Sequence, residues 1–340
     1  MGDLTEPLEL AKSYVLSQAI FGAYQVGIWD HFGRDPNGTL SVAAYAEEKG
    51  LSTHHLLGMM EYLARRQFFI ESEKRVFALS PKGRELLAEG WLGYFVFFVG
   101  GYGKVLDRMG EQVNRAIAYG KDVVRDGHCV AVASEIVGER PTHGNFETML
   151  RRAASNPDRP ARVLDIGCGS GKFLLRLMRG VDAQEGIGVD LVEEACALAR
   201  ATMSAAGYAD KTRILEGDAR ALLSLDSSLE GTVDLITAMF VVHEFFGRDL
   251  SNGARLIAEL ARTLTPGRGR LLIMDKHIDI LETEAPLFFT EFKLIHDFTN
   301  QRLISRAQWH DVIEMAGLHI VHEEILPKHT GTILLECMLP

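Results

Sequence analysis

The stretch Val163-Leu-Asp-Ile-Gly-Cys-Gly-Ser-Gly-Lys-Phe173 decides the fold of this chain. Its apolar start predicts a buried strand that runs through Asp165, and an apolar helix pattern follows the loop. Glycine permits backbone conformations closed to other residues and lets a ligand lie against the main chain. A strand, a glycine turn and a helix N-terminus together predict a nucleotide-binding βα unit. The loop glycines are Gly167, Gly169 and Gly171.

Strand and helix patterns alternate from this loop to the end of the chain. Repeated βα units predict a mostly parallel, doubly wound sheet with helices on both faces, a Rossmann-like α/β fold. Ligands of such sheets bind outside the carboxyl ends of the strands. The predicted strands cover residues 162–166, 186–190, 212–216, 233–240, 270–275, 320–325 and 332–338.

Length and composition limit the possible functions. The 340 residues are enough for about two domains. A formal net charge of −10 disfavours a nucleic-acid partner, because phosphate binding depends on Lys and Arg. The four cysteines lack C-x-x-C spacing, which is typical of reduced thiols in a cytoplasmic protein. No apolar run approaches the roughly 20 residues of a membrane span, and the N-terminus is too polar for a signal peptide.

Two more aspartates follow the glycine loop at the ends of predicted strands. Asp190 ends the second strand, where a carboxylate can accept both hydroxyls of a ribose. Asp218 ends the third. The D-x-G-x-G-x-G pattern resembles motif I of class I S-adenosylmethionine (SAM) methyltransferases. The resemblance implies a SAM cofactor, with Asp218 on the adenine amino group and Asp165 acting through the loop on the methionine ammonium. It also implies that the last two strands form a hairpin with an antiparallel edge strand.

The N-terminal part reads as three helices and a short hairpin, which predicts a winged helix. A DNA-binding winged helix should carry a basic stripe, but residues 51–90 contain six Lys or Arg and five Asp or Glu. The stretch resembles the dimerisation domain of plant-type O-methyltransferases. We therefore expect a homodimer, with a winged-helix dimerisation domain over residues 1–100. Residues 101–155 are expected to be a helical linker and pocket roof, and 156–340 the SAM-binding catalytic domain, with a turn-rich boundary at residues 156–160.

The fourth predicted strand ends just before His243, at the point that faces the transferable methyl group in this fold. In plant-type O-methyltransferases a histidine here is a general base. Imidazole suits that role because its pKa lies near neutral. The first hypothesis for His243 is therefore proton removal from a hydroxylated small molecule.

The second hypothesis uses a metal. The segment His243-Glu-Phe-Phe-Gly-Arg-Asp249 resembles a stretch of iron-dependent 2-oxo-acid C-methyltransferases of the phenylpyruvate type, and His296, thirteen residues before Trp309, matches a second. The resemblance implies His243, Glu244 and His296 as a facial triad for mononuclear iron, which leaves positions open for substrate. Glu244 stands where that family has Asp. Two adjacent residues can both be ligands only if the backbone turns there.

The metal hypothesis implies a 2-oxo acid as the small-molecule substrate, methylated at its β-carbon. The Gly120-Lys121…Arg125-Asp126 stretch resembles the lysine and Arg-Asp segment in the pocket roof of those enzymes. The resemblance implies Arg125 as the residue that binds the substrate carboxylate, because a guanidinium binds a carboxylate bidentately. The alternative is a surface arginine paired with Asp122 or Asp126. The alternatives left open by the sequence are a metal-independent O-methyltransferase with His243 as base, and a DNA-binding regulator that senses SAM.

Overall fold

The computed structural model describes residues 5–139, 144–155, 160–247, 249–282, 289–326 and 330–340. These residues form two compact units. The first comprises Met1–Gly103 and Val132–Gly144, and the second comprises Lys104–Ala131 and Asn145–Pro340. Residues 104–131 therefore belong to the same unit as the glycine loop. The predicted boundary at 156–160 lies outside the described residues except for Pro160.

The first unit packs helices around a small antiparallel sheet with the strand order β1-β3-β2. Trp29 stacks on Phe69 at 5.0 Å between ring centroids, and its Nε1 donates to the carbonyl of Ile20. Trp29, Phe32 and Phe69 are buried, and large aromatic rings contribute strongly to the stability of a core. The elements are α1 (Thr5–Gln25), α2 (Ile28–Arg34), β1 (Thr39–Ser41), α3 (Val42–Lys49), α4 (Thr53–Arg65), β2 (Phe69–Glu73), β3 (Val76–Leu79), α5 (Pro81–Ala88) and α6 (Leu92–Phe95), followed by a π-helix (Val96–Gly101).

The elements from Gly103 onward include the strands of the large sheet. Short 3-10 turns occur at Ala209–Lys211, Ala219–Ala221, Ser227–Leu229 and Ile278–Glu282. The elements are α7 (Gly103–Leu106), α8 (Met109–Val113), α9 (Gly127–Gly138), α10 (Asn145–Ala154), β4 (Arg162–Ile166), α11 (Lys172–Val181), β5 (Glu185–Asp190), α12 (Glu193–Ala205), β6 (Thr212–Glu216), α13 (Leu222–Leu225), β7 (Leu235–Met239), α14 (His243–Phe246), α15 (Leu250–Thr263), β8 (Arg270–Lys276), α16 (Phe289–Phe298), α17 (Arg306–Met315), β9 (His319–Ile325) and β10 (Thr332–Met338).

The seven-stranded sheet has the order β6-β5-β4-β7-β8-β10-β9. Strands β4 to β8 are parallel to one another, and β10 runs antiparallel to both of its neighbours. The predicted doubly wound α/β sheet is confirmed. The last two strands do form a hairpin, but the antiparallel strand β10 lies second from the edge and not at it. From β4 the chain builds the sheet first to one side, through β5 and β6, and then to the other, through β7 and β8. Ligands of such sheets bind where the strand order changes direction, which places the ligand crevice at the carboxyl end of β4.

Burial explains why the sequence forms these layers. Strand β4 is buried over Val163–Ile166, as expected for a parallel strand covered on both faces. Helix α11 buries one face and leaves its basic residues outside, which is the amphipathic pattern of a helix that covers a sheet. Its buried residues are Phe173, Leu174, Leu177, Met178 and Val181. Among the described residues, no helix is both long and apolar enough to cross a membrane.

Candidate functional site

The glycine loop connects β4 to α11 and is tied to the neighbouring strand β5. The backbone N–H groups of Gly167 and Cys168 both donate to the carbonyl of Val189. The N–H of Gly169 donates to Asp190 Oδ2 at 3.0 Å. The structure thus brings the predicted loop and the predicted ribose carboxylate into direct contact.

Two of the loop glycines need the absence of a side chain for different reasons. Gly171 has φ +76°, and an added Cβ would lie 3.0 Å from the Cβ of Ala199 on α12, so it allows the helices to pack closely. Gly169 has φ +52°, and nothing lies within 4 Å of its added Cβ. The space over Gly169 is therefore open to a ligand that approaches the main chain.

Asp165 lies buried beneath the loop, with 4% of its surface exposed. Its Oδ1 accepts a hydrogen bond from Thr237 Oγ1 on β7 at 2.6 Å. The pKa of Asp165 is raised to about 7, chiefly by burial; the Thr237 hydrogen bond opposes the rise, and the nearby Asp190 contributes to it. A carboxyl group with this pKa is poised to ionise when a cationic ligand binds nearby.

Asp218, the third predicted cofactor carboxylate, follows β6 and binds Arg220. Its oxygens accept hydrogen bonds from Arg220 Nε at 3.0 Å and from Arg220 Nη2 at 2.5 Å, and Oδ1 also accepts from the Arg220 backbone N–H. The side-chain hydrogen bond from Arg220 lowers the pKa of Asp218. The Arg220 guanidinium also lies 5.6 Å from the centre of the Phe245 ring. An adenine bound by Asp218 has to share this carboxylate with Arg220.

His243 lies just beyond the carboxyl end of β7, where the chain turns into a helix. Phe240 has the unusual φ of +54°, and its N–H donates to the carbonyl of Met274 on β8. Helix α14 then begins at His243. The backbone therefore turns at this point, which meets the condition for His243 and Glu244 to act at one site.

Asp275 on β8 orients His243. The Asp275 side chain is fully buried. Its Oδ1 lies 2.6 Å from His243 Nδ1, and its Oδ2 accepts the His243 backbone N–H at 3.0 Å. Trp309 Nε1 donates to the carbonyl of Lys276, which anchors this end of the strand. Because a carboxylate only accepts hydrogen bonds, Nδ1 is the protonated nitrogen and Nε2 faces the site.

His296 on α16 meets His243 from the opposite side. The two Nε2 atoms are 3.1 Å apart. His296 Nδ1 lies 2.5 Å from the Phe292 carbonyl oxygen, to which it can only donate. Burial, and then the neighbouring His243, hold the pKa of His296 well below its usual value. Neutral rings in this arrangement point two lone pairs at each other. Because two lone pairs repel each other, this arrangement of the rings requires a proton on one of the two Nε2 atoms or a cation bound by both.

The histidine pair fits two adjacent ligand positions of a metal ion. Metal–imidazole bonds of about 2.1 Å at an angle of about 90° give a nitrogen separation of about 3.0 Å, close to the 3.1 Å found. The hydrogen bonds on both Nδ1 atoms are those that support metal-ligating histidines. Over the described part of the chain, no three His, Cys, Asp or Glu side chains are grouped closely enough to hold a metal ion.

Glu244, the predicted carboxylate ligand, instead binds Arg125. Its Oε2 lies 2.6 Å from Arg125 Nη2, and both side chains are mostly buried. The Arg125 charge is also among the causes that lower the pKa of His296, so the guanidinium lies near the histidine pair. The structure thus brings all four predicted chemistry residues to one region: Arg125, Glu244, His243 and His296.

Sequence reasoning missed three residues that bind predicted site residues: Asp275 binds His243, Thr237 binds Asp165 and Arg220 binds Asp218. Asp275 and Thr237 lie on β8 and β7, and Arg220 follows Asp218. Asp275 carries the same signal that identified Asp190 and Asp218, a carboxylate near the carboxyl end of a predicted strand. That rule, applied to the fifth strand, would have found it. Thr237 lies inside its strand and has no such signal.

The chain is similar to several known methyltransferases. Residues 163–267 match the family profile described as "Methyltransferase domain". The 2-ketoarginine methyltransferase of Streptomyces arginensis is 24% identical, and the match covers 98% of this chain and 94% of that protein. The indolepyruvate C-methyltransferase of Streptomyces griseus is 30% identical, over 73% of this chain and 70% of that protein.

Solved structures show the same fold. The crystal structure of human N-acetylserotonin methyltransferase in complex with SAM superposes with a TM-score of 0.68 at 15% identity. The match covers 100% of this chain and 99% of the human chain.

Proposed function

Because the chain belongs to the SAM-dependent methyltransferases, we propose that it methylates the β-carbon of a small 2-oxo acid. The observation that carries this proposal is the histidine pair, with the two Nε2 atoms 3.1 Å apart and both Nδ1 atoms engaged in hydrogen bonds. Two relatives over most of the chain are named for 2-oxo acids, 2-ketoarginine and indolepyruvate. The enzyme is proposed to work in the cytoplasm, without a nucleic-acid or membrane partner.

The cofactor residues are proposed to hold SAM at the carboxyl end of β4. Asp190 would bind the ribose and Asp218 the adenine amino group. The open face over Gly169 lets the methionine part lie against the backbone. Asp165, beneath the loop, would stabilise the positive charges of SAM in its ionised form.

The residues opposite the cofactor are proposed to bind and activate the acceptor. Arg125 binds the substrate carboxylate, and the histidine pair, held by Asp275 and the Phe292 carbonyl, faces the keto group. The β-carbon loses a proton, and the resulting enolate attacks the sulfonium methyl group, which yields the β-methylated 2-oxo acid, S-adenosylhomocysteine and a proton. Holding both reactants in line supplies much of the rate.

His243 and His296, with Glu244 as the third ligand, are proposed to hold a metal ion, preferably iron. A bound metal ion would supply a Lewis acid that increases the acidity of the β-carbon hydrogens. The contribution of the protein is to fix both imidazoles through hydrogen bonds on Nδ1, since such supporting contacts orient the ligand nitrogens.

The experiment combines metal analysis of the purified chain with a panel of 2-oxo acids and SAM. We expect stoichiometric metal, methyl transfer to the β-carbon, and loss of both in His296→Ala. His310→Ala is the matched control, because His310 is largely exposed and pairs with Glu323. A metal-free chain that keeps full activity in chelator would refute the metal proposal.

A second candidate function is metal-independent O-methylation of a hydroxylated metabolite. The contact that favours it is the His243–Asp275 pair, because a buried carboxylate on Nδ1 orients an imidazole and stabilises its protonated form. His243 would then remove the hydroxyl proton. Activity towards phenolic acceptors, retained in chelator and in His296→Ala, would select this function.

The first unit is proposed to be a winged-helix dimerisation domain. Helices α2, α3 and α4 with the strands β1 to β3 supply its elements. Helix α1 exposes an apolar group that a second copy of the chain would cover: Leu8, Leu10, Tyr14 and Val15, each at least half exposed. Leu10→Glu should shift the molar mass in light scattering from dimer to monomer. An unchanged dimer would exclude this helix as the interface. The division at residues 100 and 155 stays a prediction.

A further inference from the structure

The ion pair between Arg125 and Glu244 joins two residues that the proposed reaction assigns to different partners. Arg125 is to bind the substrate carboxylate, and Glu244 is to complete the metal site beside His243. In the structure they bind each other, with Nη2 and Oε2 2.6 Å apart and side chains 19% and 28% exposed. Both residues lie in the second compact unit.

A guanidinium in this position can exchange one carboxylate for another. The substrate carboxylate carries the same charge and the same fork of oxygens as Glu244, so the exchange leaves the charge of Arg125 compensated. Glu244 would then be a partly buried carboxylate without its cation. An unpaired charge in such a place is costly, and a nearby cation removes the cost.

The neighbourhood supplies a position for that cation. Glu244 follows His243 in the single turn of α14, and the His243 and His296 Nε2 atoms are 3.1 Å apart. In the described residues the histidines have no third ligand of the His, Cys, Asp or Glu type beside them. A carboxylate released from Arg125 would supply a third ligand of this type.

We propose that Arg125 holds Glu244 away from the histidine pair until a substrate carboxylate takes its place, and that the released Glu244 then completes the metal site. The inference rests on the proposed function. It makes metal binding and acceptor binding cooperative, because a carboxylate that releases Glu244 raises metal affinity and the metal raises carboxylate affinity by the same factor. The site would thus be complete only when an acceptor is present.

The test measures Co²⁺ binding to the full chain by calorimetry and visible absorption. The added carboxylate is 3-phenylpropanoate, which lacks a keto oxygen and so cannot chelate the metal as a 2-oxo acid would. For the unsubstituted chain we expect Co²⁺ affinity to rise roughly tenfold with the carboxylate, within the usual range of coupling between sites.

Two substitutions separate exchange from direct binding. Arg125→Gln should bind Co²⁺ roughly tenfold more tightly than the unsubstituted chain without any carboxylate, and should gain nothing from 3-phenylpropanoate. Glu244→Gln should bind weakly with or without it. Arg108→Gln is the matched control, because Arg108 forms a comparable but exposed pair with Glu111 at 2.8 Å. Thermal unfolding by circular dichroism checks that each variant is folded.

The outcomes distinguish this inference from the proposed function. If Co²⁺ binding requires His243 and His296 but Arg125→Gln binds no more tightly, the exchange is wrong and the metal site stands. If the carboxylate effect persists in Arg125→Gln, the carboxylate binds the metal directly, which also overturns the exchange. Co²⁺ binding that is indifferent to His296→Ala would overturn the proposed metal site itself.

Discussion

Replacement of Asp275 by Asn is the most informative change at this site. Asp275 accepts three hydrogen bonds, from His243 Nδ1 at 2.6 Å, from the His243 backbone N–H at 3.0 Å and from the Lys276 backbone N–H at 2.7 Å. Asn keeps the shape but replaces one oxygen by an NH2 group. At least one of these donors then faces another donor in a fully buried place.

The contacts set the size of the effect. A buried donor without an acceptor costs about 1–3 kcal/mol of folding stability. A hydrogen bond to a charged group contributes about 1.5–3 kcal/mol, and its loss corresponds to a roughly 10- to 100-fold change. If the pair holds a metal, loss of a supporting carboxylate weakens metal affinity or activity by a similar 10- to 100-fold. We therefore expect kcat/KM to fall roughly 10- to 100-fold, with SAM affinity unchanged.

Asp234→Asn is the matched control for this experiment. Asp234 is also buried and hydrogen-bonded, but it precedes β7 and so lies at the amino end of the strand, away from the site. Its carboxylate accepts the N–H groups of Ala161 and Arg162. The measurements are initial rates, SAM titration by calorimetry, metal content and thermal unfolding. Unchanged kcat/KM in Asp275→Asn, or an equal loss in Asp234→Asn, would refute the role assigned to Asp275.

Three further predictions concern the cofactor side of the site. Gly169→Ala should abolish measurable SAM binding in calorimetry. Gly207→Ala is the control, because Gly207 is equally open with φ +74°: both variants should lose about 1–2 kcal/mol of stability in denaturant unfolding, but Gly207→Ala should keep its SAM affinity. Equal SAM affinities of the two variants would contradict this prediction. Asp190→Asn should weaken SAM binding roughly 10- to 100-fold by loss of charged hydrogen bonds, and an unchanged dissociation constant would remove Asp190 from the cofactor site. Asp165 has a folded pKa of about 7, above the unfolded value of about 3.9, so its contribution to stability is present below pH about 4 and is lost as the pH rises through about 7. The loss is on the order of 4 kcal/mol. In urea unfolding between these pH values, the free energy of unfolding of Asp165→Asn should therefore change less with pH than that of the unsubstituted chain. Identical pH dependence in both would mean that Asp165 is not the titrating group.

The strand, glycine loop and helix around Gly169 were predictable from the sequence because their signals are local. The glycine spacing, the apolar strand before it and the amphipathic helix after it occupy neighbouring positions in the chain. The rule that ligands bind at strand ends then identified Asp190, which does contact Gly169. What local signals did not reveal is that Asp218 is bound by Arg220, since hydrogen-bond competition depends on side-chain conformation.

The proposed acceptor site depends on contacts between distant parts of the chain. His243 and Asp275 are 32 positions apart, His243 and His296 are 53 apart, and Arg125 and Glu244 are 119 apart. The histidines and Glu244 were proposed from residue type and resemblance, but their partners follow from the strand order. Strand β8 lies beside β7, which brings Asp275 under His243.

The sequence by itself therefore determined the fold class and the type of cofactor loop, because periodicity and turn chemistry act over a few consecutive residues. Only the tertiary structure decided that the histidine nitrogens meet at 3.1 Å and that Glu244 binds Arg125. The physical reason is that the choice among several possible partners for one charged or hydrogen-bonding group is made by packing, which no local propensity encodes.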